Sequence, residues 1–188
     1  MSVGTGLMTV EDLLAHPDDG VLRWLIRGQL REGGMTQRNR FHGRTEARLA
    51  QLLGDWLDSL PEPRGEVYSG ETGVILHHDP DTSVGLDVTY VSSEVAAANP
   101  DHTQLIDGVP ILACEILSPS TKEEEINERI DELLHAGAAA VWIIDPYFQT
   151  LTVYRRGQPP RMFSGEDKLA NEPYLPGFEV QVSRVFKR

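Results

Sequence analysis

Ile111-Leu112-Ala113-Cys114-Glu115-Ile116-Leu117-Ser118-Pro119-Ser120-Thr121 opens the stretch that decides the fold, and Ala139-Ala140-Val141-Trp142-Ile143-Ile144-Asp145-Pro146 closes it. Each half holds a short apolar run, and a run of that length bounded by turn residues reads as a buried strand. Pro119 and the Ser/Thr cluster end the first strand and open a helix. Glu123–Ala136 carries Ile126, Ile130, Leu133 and Leu134 at helical spacing, and Gly137 follows as its cap. Strand, crossover helix and strand predict parallel pairing with a right-handed crossover. The first strand contains one carboxylate, Glu115. Burying it is costly unless it binds a cation, pairs or takes a proton.

Working outward, the 188 residues predict one domain spanning residues 1–188. An apolar fraction of 40% and a charged fraction of 24% are those of a water-soluble globular chain. The single cysteine, Cys114, falls in the central strand and reads as a small buried hydrophobe. The N-terminus lacks the basic start and apolar core of a signal peptide, and no stretch is long enough to span a membrane. A cytoplasmic protein is expected. The net charge of -12 argues against a passive, non-specific nucleic-acid coat but not against an enzyme that touches DNA locally. That charge is uneven. Residues 21–48 hold seven arginines (Arg23, Arg27, Arg31, Arg38, Arg40, Arg44, Arg48) against Glu32 and Glu46, a local balance of +5. The run is either a phosphate-facing patch or a solvated face balancing an acidic remainder.

Thr9 caps a short helix, with Asp12 at the reciprocal position. Pro17-Asp18-Asp19-Gly20 ends it. Val21–Arg31 reads as one strand with Leu22, Trp24, Ile26 and Leu30 on one face, Arg23, Arg27 and Arg31 on the other, and a bulge at Gly28. Gly33-Gly34 reads as a loop. From about Asn39 to Leu60 the period becomes helical, with Thr45, Leu49, Leu52, Leu53, Trp56 and Leu60 as a core stripe. Glu66–Ser69 and Thr72–His77 read as two short strands, Val84–Val91 as a third, and Glu94–Ala98 as a helical turn. Thr150–Arg155 and Pro160–Phe163 form an antiparallel pair around Gly157. The tail from Tyr174 to Arg188 carries an edge strand and a final turn. Trp142 reads as core, and His102 and His135 as surface residues. His77 and His78 are adjacent and would point to opposite faces of a strand, so they are poor joint ligands.

Asp87 repeats the pattern of Glu115, a carboxylate among apolar strand residues. If their strands are neighbours, the two acids converge at one end of the sheet. Close carboxylates repel unless a cation lies between them, and a hard divalent ion takes such oxygen ligands. The other reading is that both are ordinary strand-end acids satisfied by backbone donors or an arginine.

Glu115-Ile116-Leu117-Ser118-Pro119-Ser120-Thr121, the helix ending in Ala136-Gly137, and Val141-Trp142-Ile143-Ile144-Asp145-Pro146 resemble, in that order and spacing, the core of the Uma-type family of restriction-endonuclease-like proteins. That family belongs to the PD-(D/E)XK nuclease superfamily. The resemblance covers nearly the whole chain. Thr9–Gly20 is similar to its first helix and turn, Gly28–Leu30 to its Gly-Glu-Leu element, and His42 to a histidine often kept there. Asp87 matches the acid of its Pro-Asp strand, and Leu175-Pro176-Gly177-Phe178 its closing motif. The resemblance implies an α/β fold, a restriction-endonuclease-like mixed β-sheet core flanked by helices. It implies a Mg²⁺-dependent endonuclease, with Mn²⁺ as the alternative ion, hydrolysing DNA phosphodiester bonds. Asp87 and Glu115 would be the metal ligands. The superfamily lysine two residues after the Glu is Leu117 here, and the family's lysine on the next helix falls on Arg129. Arg129 would contact the scissile phosphate, and His42 or Gln29 would position water or substrate.

The departures bear on activity. Trp24, Arg27 and Gln29 stand where the family carries acids, and Leu86 replaces the proline before Asp87. Arginine stays protonated, so Arg129 cannot act as a base, although it can clamp a phosphate in bidentate fashion. Arg27 and Trp24 in a groove would favour an anion over a metal. A homodimer is expected if both strands of a duplex are cut. The alternatives are a catalytically weakened or inactive nuclease-fold module that binds DNA or protein, and a structural or regulatory partner whose arginines only balance charge.

Overall fold

In chain order the elements are α1 (Val10–Leu14), β1 (Val21–Ile26), β2 (Gln29–Gly34), α2 (Arg40–Asp58), β3 (Glu66–His77), β4 (Thr82–Val91), α3 (Ser93–Ala98), β5 (Ile106–Asp107), β6 (Leu112–Ile116), α4 (Glu123–Ala136), β7 (Ala140–Asp145), β8 (Thr150–Arg155), β9 (Gln158–Ser164), β10 (Lys168–Ala170) and β11 (Glu179–Gln181), closed by a 3-10 helix, Val182–Phe186. The structure, a computed structural model, describes residues 6–34, 39–119 and 121–187. Arg38 of the basic run, Ser120 of the turn before α4, and residues 1–5 and 188 lie outside the described residues.

Nine strands form one mixed sheet in the order β2-β1-β4-β6-β7-β8-β9, with β3 running along β4 and β5 beside β3. β10 and β11 pair separately. The deciding stretch folds as its pattern requires. β6 and β7 are parallel, in register Glu115↔Ile143, with α4 as the crossover. Gly137 takes the left-handed conformation, φ 116°, that ends α4.

The sheet buries both faces, so β6 and β7 are apolar apart from Glu115 and the terminal Asp145, while still alternating between two clusters. Leu112, Cys114, Ile116, Trp142 and Ile144 face Leu49, Leu53 and Trp56 of α2. Ala113, Val141 and Ile143 face Ile130 and Leu133 of α4, together with Trp24 and Ile26 of β1. Glu115 therefore stands on the α4 side. Trp142 is fully buried, and its indole N–H donates to the Tyr174 hydroxyl at 2.9 Å. Burial pushes the Cys114 thiol well up, which keeps it an unreactive hydrophobe.

Three local readings are corrected. Val21–Arg31 is a hairpin, not one strand. Arg27 (φ 51°) and Gly28 (φ 71°) form its two-residue turn, with Ile26 opposite Gln29. Both positions need positive φ, the signature of the tight turn that matches strand twist. The fold-back puts Leu30 opposite Leu25, off the Trp24 face, and Arg31 opposite Trp24, on it. Gly33 and Gly34 belong to β2, not to a loop. Glu66–His77 is one long strand with a bulge at Gly70-Glu71, since Ser69 pairs with Val88 and Thr72 with Leu86. Thr9 and Asp12 form the expected capping box.

Candidate active site

The site lies where β4 and β6 part. Their antiparallel ladder runs from Tyr90↔Leu112 to Val88↔Cys114 and stops. β1 meets the same edge of β4 further on, at Leu25↔Ser83. Across the fork, Asp87 Oδ2 accepts the Ile116 N–H at 2.7 Å. One carboxylate oxygen thus substitutes for the missing ladder acceptor, which is why this acid tolerates being 2% exposed. The side-chain phase of β4 also changes here. Val84 and Leu86 pack on the α4 side, whereas Val88 and Tyr90 pack on the α2 side. The change falls opposite the Gly70-Glu71 bulge, because one extra residue in β3 re-aims its neighbour.

That re-aiming brings Asp87 to α2. His42 Nε2 lies 3.2 Å from Asp87 Oδ2, and His42 Nδ1 lies 3.6 Å from Glu46 Oε2. His42 and Glu46 are four residues apart, on one helix face. Asn39 caps the helix through its side-chain oxygen, which accepts from the N–H groups of Phe41 and His42. One ligand atom from each of His42, Glu46 and Asp87 lies within 4.8 Å of the other two. His42 is 2% exposed and the Glu46 side chain 16%. A nitrogen with two carboxylate oxygens fits a divalent cation. The imidazole moves the preference from Mg²⁺, which favours oxygen ligands throughout, towards Mn²⁺ and later first-row ions. Sequence reasoning missed Glu46; the His42-x-x-x-Glu46 spacing was the signal.

Glu115 stands at the same end of the sheet, outside that cluster. Its Oε1 accepts from Arg129 Nη1 at 2.8 Å. The same Nη1 lies 3.3 Å from the Gly85 carbonyl oxygen, and the Arg129 guanidinium carbon is 4.7 Å from the Trp24 ring centroid. Burial pulls the Arg129 pKa down, and Glu115 and Asp87 more than offset it, so its charge is held firmly. Arg129 Nε is buried without an acceptor among the described residues. Because that N–H is buried, an incoming anionic oxygen would reach it only if the side chains around it shifted.

Arg27, which stands where the family carries an acid, and Arg31 form a clamp between the β1–β2 hairpin and α4. Arg27 pairs with Glu132 at 2.8 Å, and Arg31 binds Glu128 through two nitrogens at 2.8 and 3.3 Å. Arg31 holds the Glu128 carboxyl below its ordinary value. Trp24 lies under Arg129, and Gln29 is exposed with its amide oxygen accepting from Arg31. Among the described residues Gln29 reaches none of Asp87, Glu115 or His42. Arg23 pairs with Asp19 and Glu32. Arg23, Arg27 and Arg31 thus balance charge instead of forming a patch aimed at phosphate, and Arg27 is no free anion site.

A family model described as "Uma2: Putative restriction endonuclease" matches residues 10–183. Among solved structures, one described as a "putative nuclease belonging to DUF820" from Anabaena variabilis ATCC 29413 superposes with a TM-score of 0.77. It is 18% identical, over 95% of this chain and 97% of that one, which establishes a shared fold. No curated protein sequence matches.

Proposed function

The chain belongs to the Uma2 family of restriction-endonuclease-like proteins, and from that membership we propose that it is a metal-dependent nuclease hydrolysing DNA phosphodiester bonds. The observation that supports this most is the convergence of His42, Glu46 and Asp87 at the fork of β4 and β6, with the Arg129 guanidinium beside it. His42, Glu46 and Asp87 would hold the cation, Mn²⁺ more readily than Mg²⁺, and Glu115 would complete the site from its sheet neighbour position. Such an ion supplies Lewis-acid polarisation of a phosphoryl oxygen and a water acidic enough to attack it. Arg129 would neutralise charge on the phosphate through its remaining N–H groups, oriented by Glu115, Gly85 and the Trp24 face. As a ligand of the cation, His42 would not also be available to orient water or substrate. Gln29 would act only indirectly, by steadying Arg31. A homodimer would present two such sites to the two strands of a duplex. No helix among the described residues is long and apolar enough to cross a membrane, and the proposed setting is the cytoplasm.

A second reading, a nuclease fold that binds DNA or protein without cutting, is favoured by the Glu115–Arg129 pair, which occupies a family ligand with an arginine. Calorimetric titration of Mn²⁺ and Mg²⁺ into wild type and Asp87→Asn separates the two. Asn keeps an oxygen for the Ile116 N–H while removing the charge. Uptake by wild type that disappears in Asp87→Asn is expected, together with Mn²⁺-dependent cleavage of duplex DNA abolished in Glu115→Ala. Absence of uptake by wild type would sink the enzyme reading. Cleavage surviving in Glu115→Ala would place the activity elsewhere.

A further inference from the structure

The start of α2 and the turn after β7 meet at the surface, and His42 follows directly from the first of them. The Phe41 and Tyr147 rings lie 5.8 Å apart, and Asn39 Nδ2 donates to the Tyr147 hydroxyl at 2.9 Å. The guanidinium carbons of Arg40 and Arg44 lie 4.9 and 5.5 Å from the Phe41 centroid. Among the described residues no carboxylate pairs with either arginine. Phe41 is 37% exposed, Tyr147 49% and Phe148 81%. The turn that carries the last two is well defined. Asp145 Oδ1 accepts from the N–H groups of Tyr147 and Phe148 at 2.8 and 3.0 Å, and Gln149 sits at φ 54°. Tight turns of this kind call for small polar residues. Here the turn holds exposed rings in place instead.

We propose that this surface binds unpaired nucleobases, as in the single-stranded or frayed part of a DNA substrate next to the candidate site; the inference rests on the nuclease reading for its substrate. Aromatic faces stack on bases with little regard to sequence, and arginines beside them take the backbone phosphates. Bases inside an intact duplex already have their faces stacked, so exposed rings gain most from unpaired ones. A second copy of this chain is the poorer occupant of this patch, because across a two-fold contact Arg40 and Arg44 would face their own like-charged counterparts, whereas phosphates complement them.

The test is fluorescence anisotropy in EDTA, comparing a blunt duplex with one carrying a single-stranded tail. The tailed duplex is expected to bind about tenfold tighter, within the range for stacked bases. Tyr147→Ala combined with Phe148→Ala should erase that preference without changing affinity for the blunt duplex. Phe148→Ala alone, at a ring this exposed, should reduce it without disturbing the fold, and Phe148→Trp should keep it. Equal affinity for the two duplexes overturns the proposal. So does a preference that survives in the double variant, or a wild-type dimer in sedimentation that Phe148→Ala turns into a monomer. Failure to bind either DNA while metal uptake persists overturns this inference alone. Absent metal uptake with the preference intact supports it and removes only the nuclease reading.

Discussion

At the scale of single residues, the Glu115–Arg129 pair has side chains only 8% and 11% exposed. Removing one member of a buried ion pair strands the other charge, at a cost of about 3–5 kcal/mol, whereas replacing both with apolar groups is often neutral. Glu115→Gln should therefore lower stability by several kcal/mol in urea melts, whereas the doubly apolar Glu115→Leu with Arg129→Met should cost much less. A Glu115→Gln protein as stable as wild type would show that the pair is better solvated than its burial indicates. The same logic governs how Glu115→Ala is interpreted, because lost cleavage is informative only if the variant remains folded. Both acids were legible in the sequence as carboxylates out of place in apolar strands. Their partners were not, because a buried acid accepts a metal, an arginine or an N–H equally well on paper.

At the scale of elements, β3 and β5 share only Val74↔Ile106 and Ile75↔Asp107, so side chains must help hold β5. His78, just past β3, lies 3.1 Å from both oxygens of Asp107 and 3.8 Å from Asp81. Asp107 raises the His78 pKa above its ordinary 6.5. A raised folded-state pKa means that the contribution is complete below about pH 6.5 and is lost as pH rises through the folded value. The melting temperature of wild type should thus exceed that of His78→Asn at about pH 5.5, and the gap should shrink as pH rises past the folded value. A gap that widens with pH would contradict this sign. The expected pH effect is modest because the His78 side chain is 58% exposed. Long amphipathic elements such as α2 and α4 could be read from their period. The hairpin is hidden in the sequence because Leu22, Trp24, Ile26 and Leu30 keep even spacing across a turn, and Arg27, at φ 51°, is not a residue type that announces positive φ.

At the scale of the whole molecule, the basic run suggested seven cations facing DNA, yet Arg23, Arg27 and Arg31 are ion-paired and Arg48 bonds Gln51. Among the described residues of the run, Arg40 and Arg44 remain available for phosphate, and Arg129 at the candidate site would be a third cation. At about -0.9 per phosphate neutralised, the slope of log K against log salt for duplex binding in EDTA should be about -2 to -3. A slope near about -6 would mean that the pairs open on binding. Sequence alone determined the parallel β6–α4–β7 unit and the two suspect acids, because periodicity and breakers act over a few residues, and its family resemblance implied the class of fold. Only the tertiary structure decided that β4 and β6 part at Asp87, that Glu46 joins His42 there, and that Arg129 faces Glu115. Those outcomes depend on a bulge in one strand re-aiming another, and on which charges the folded chain brings within a few ångströms of each other. Local pattern carries no record of either.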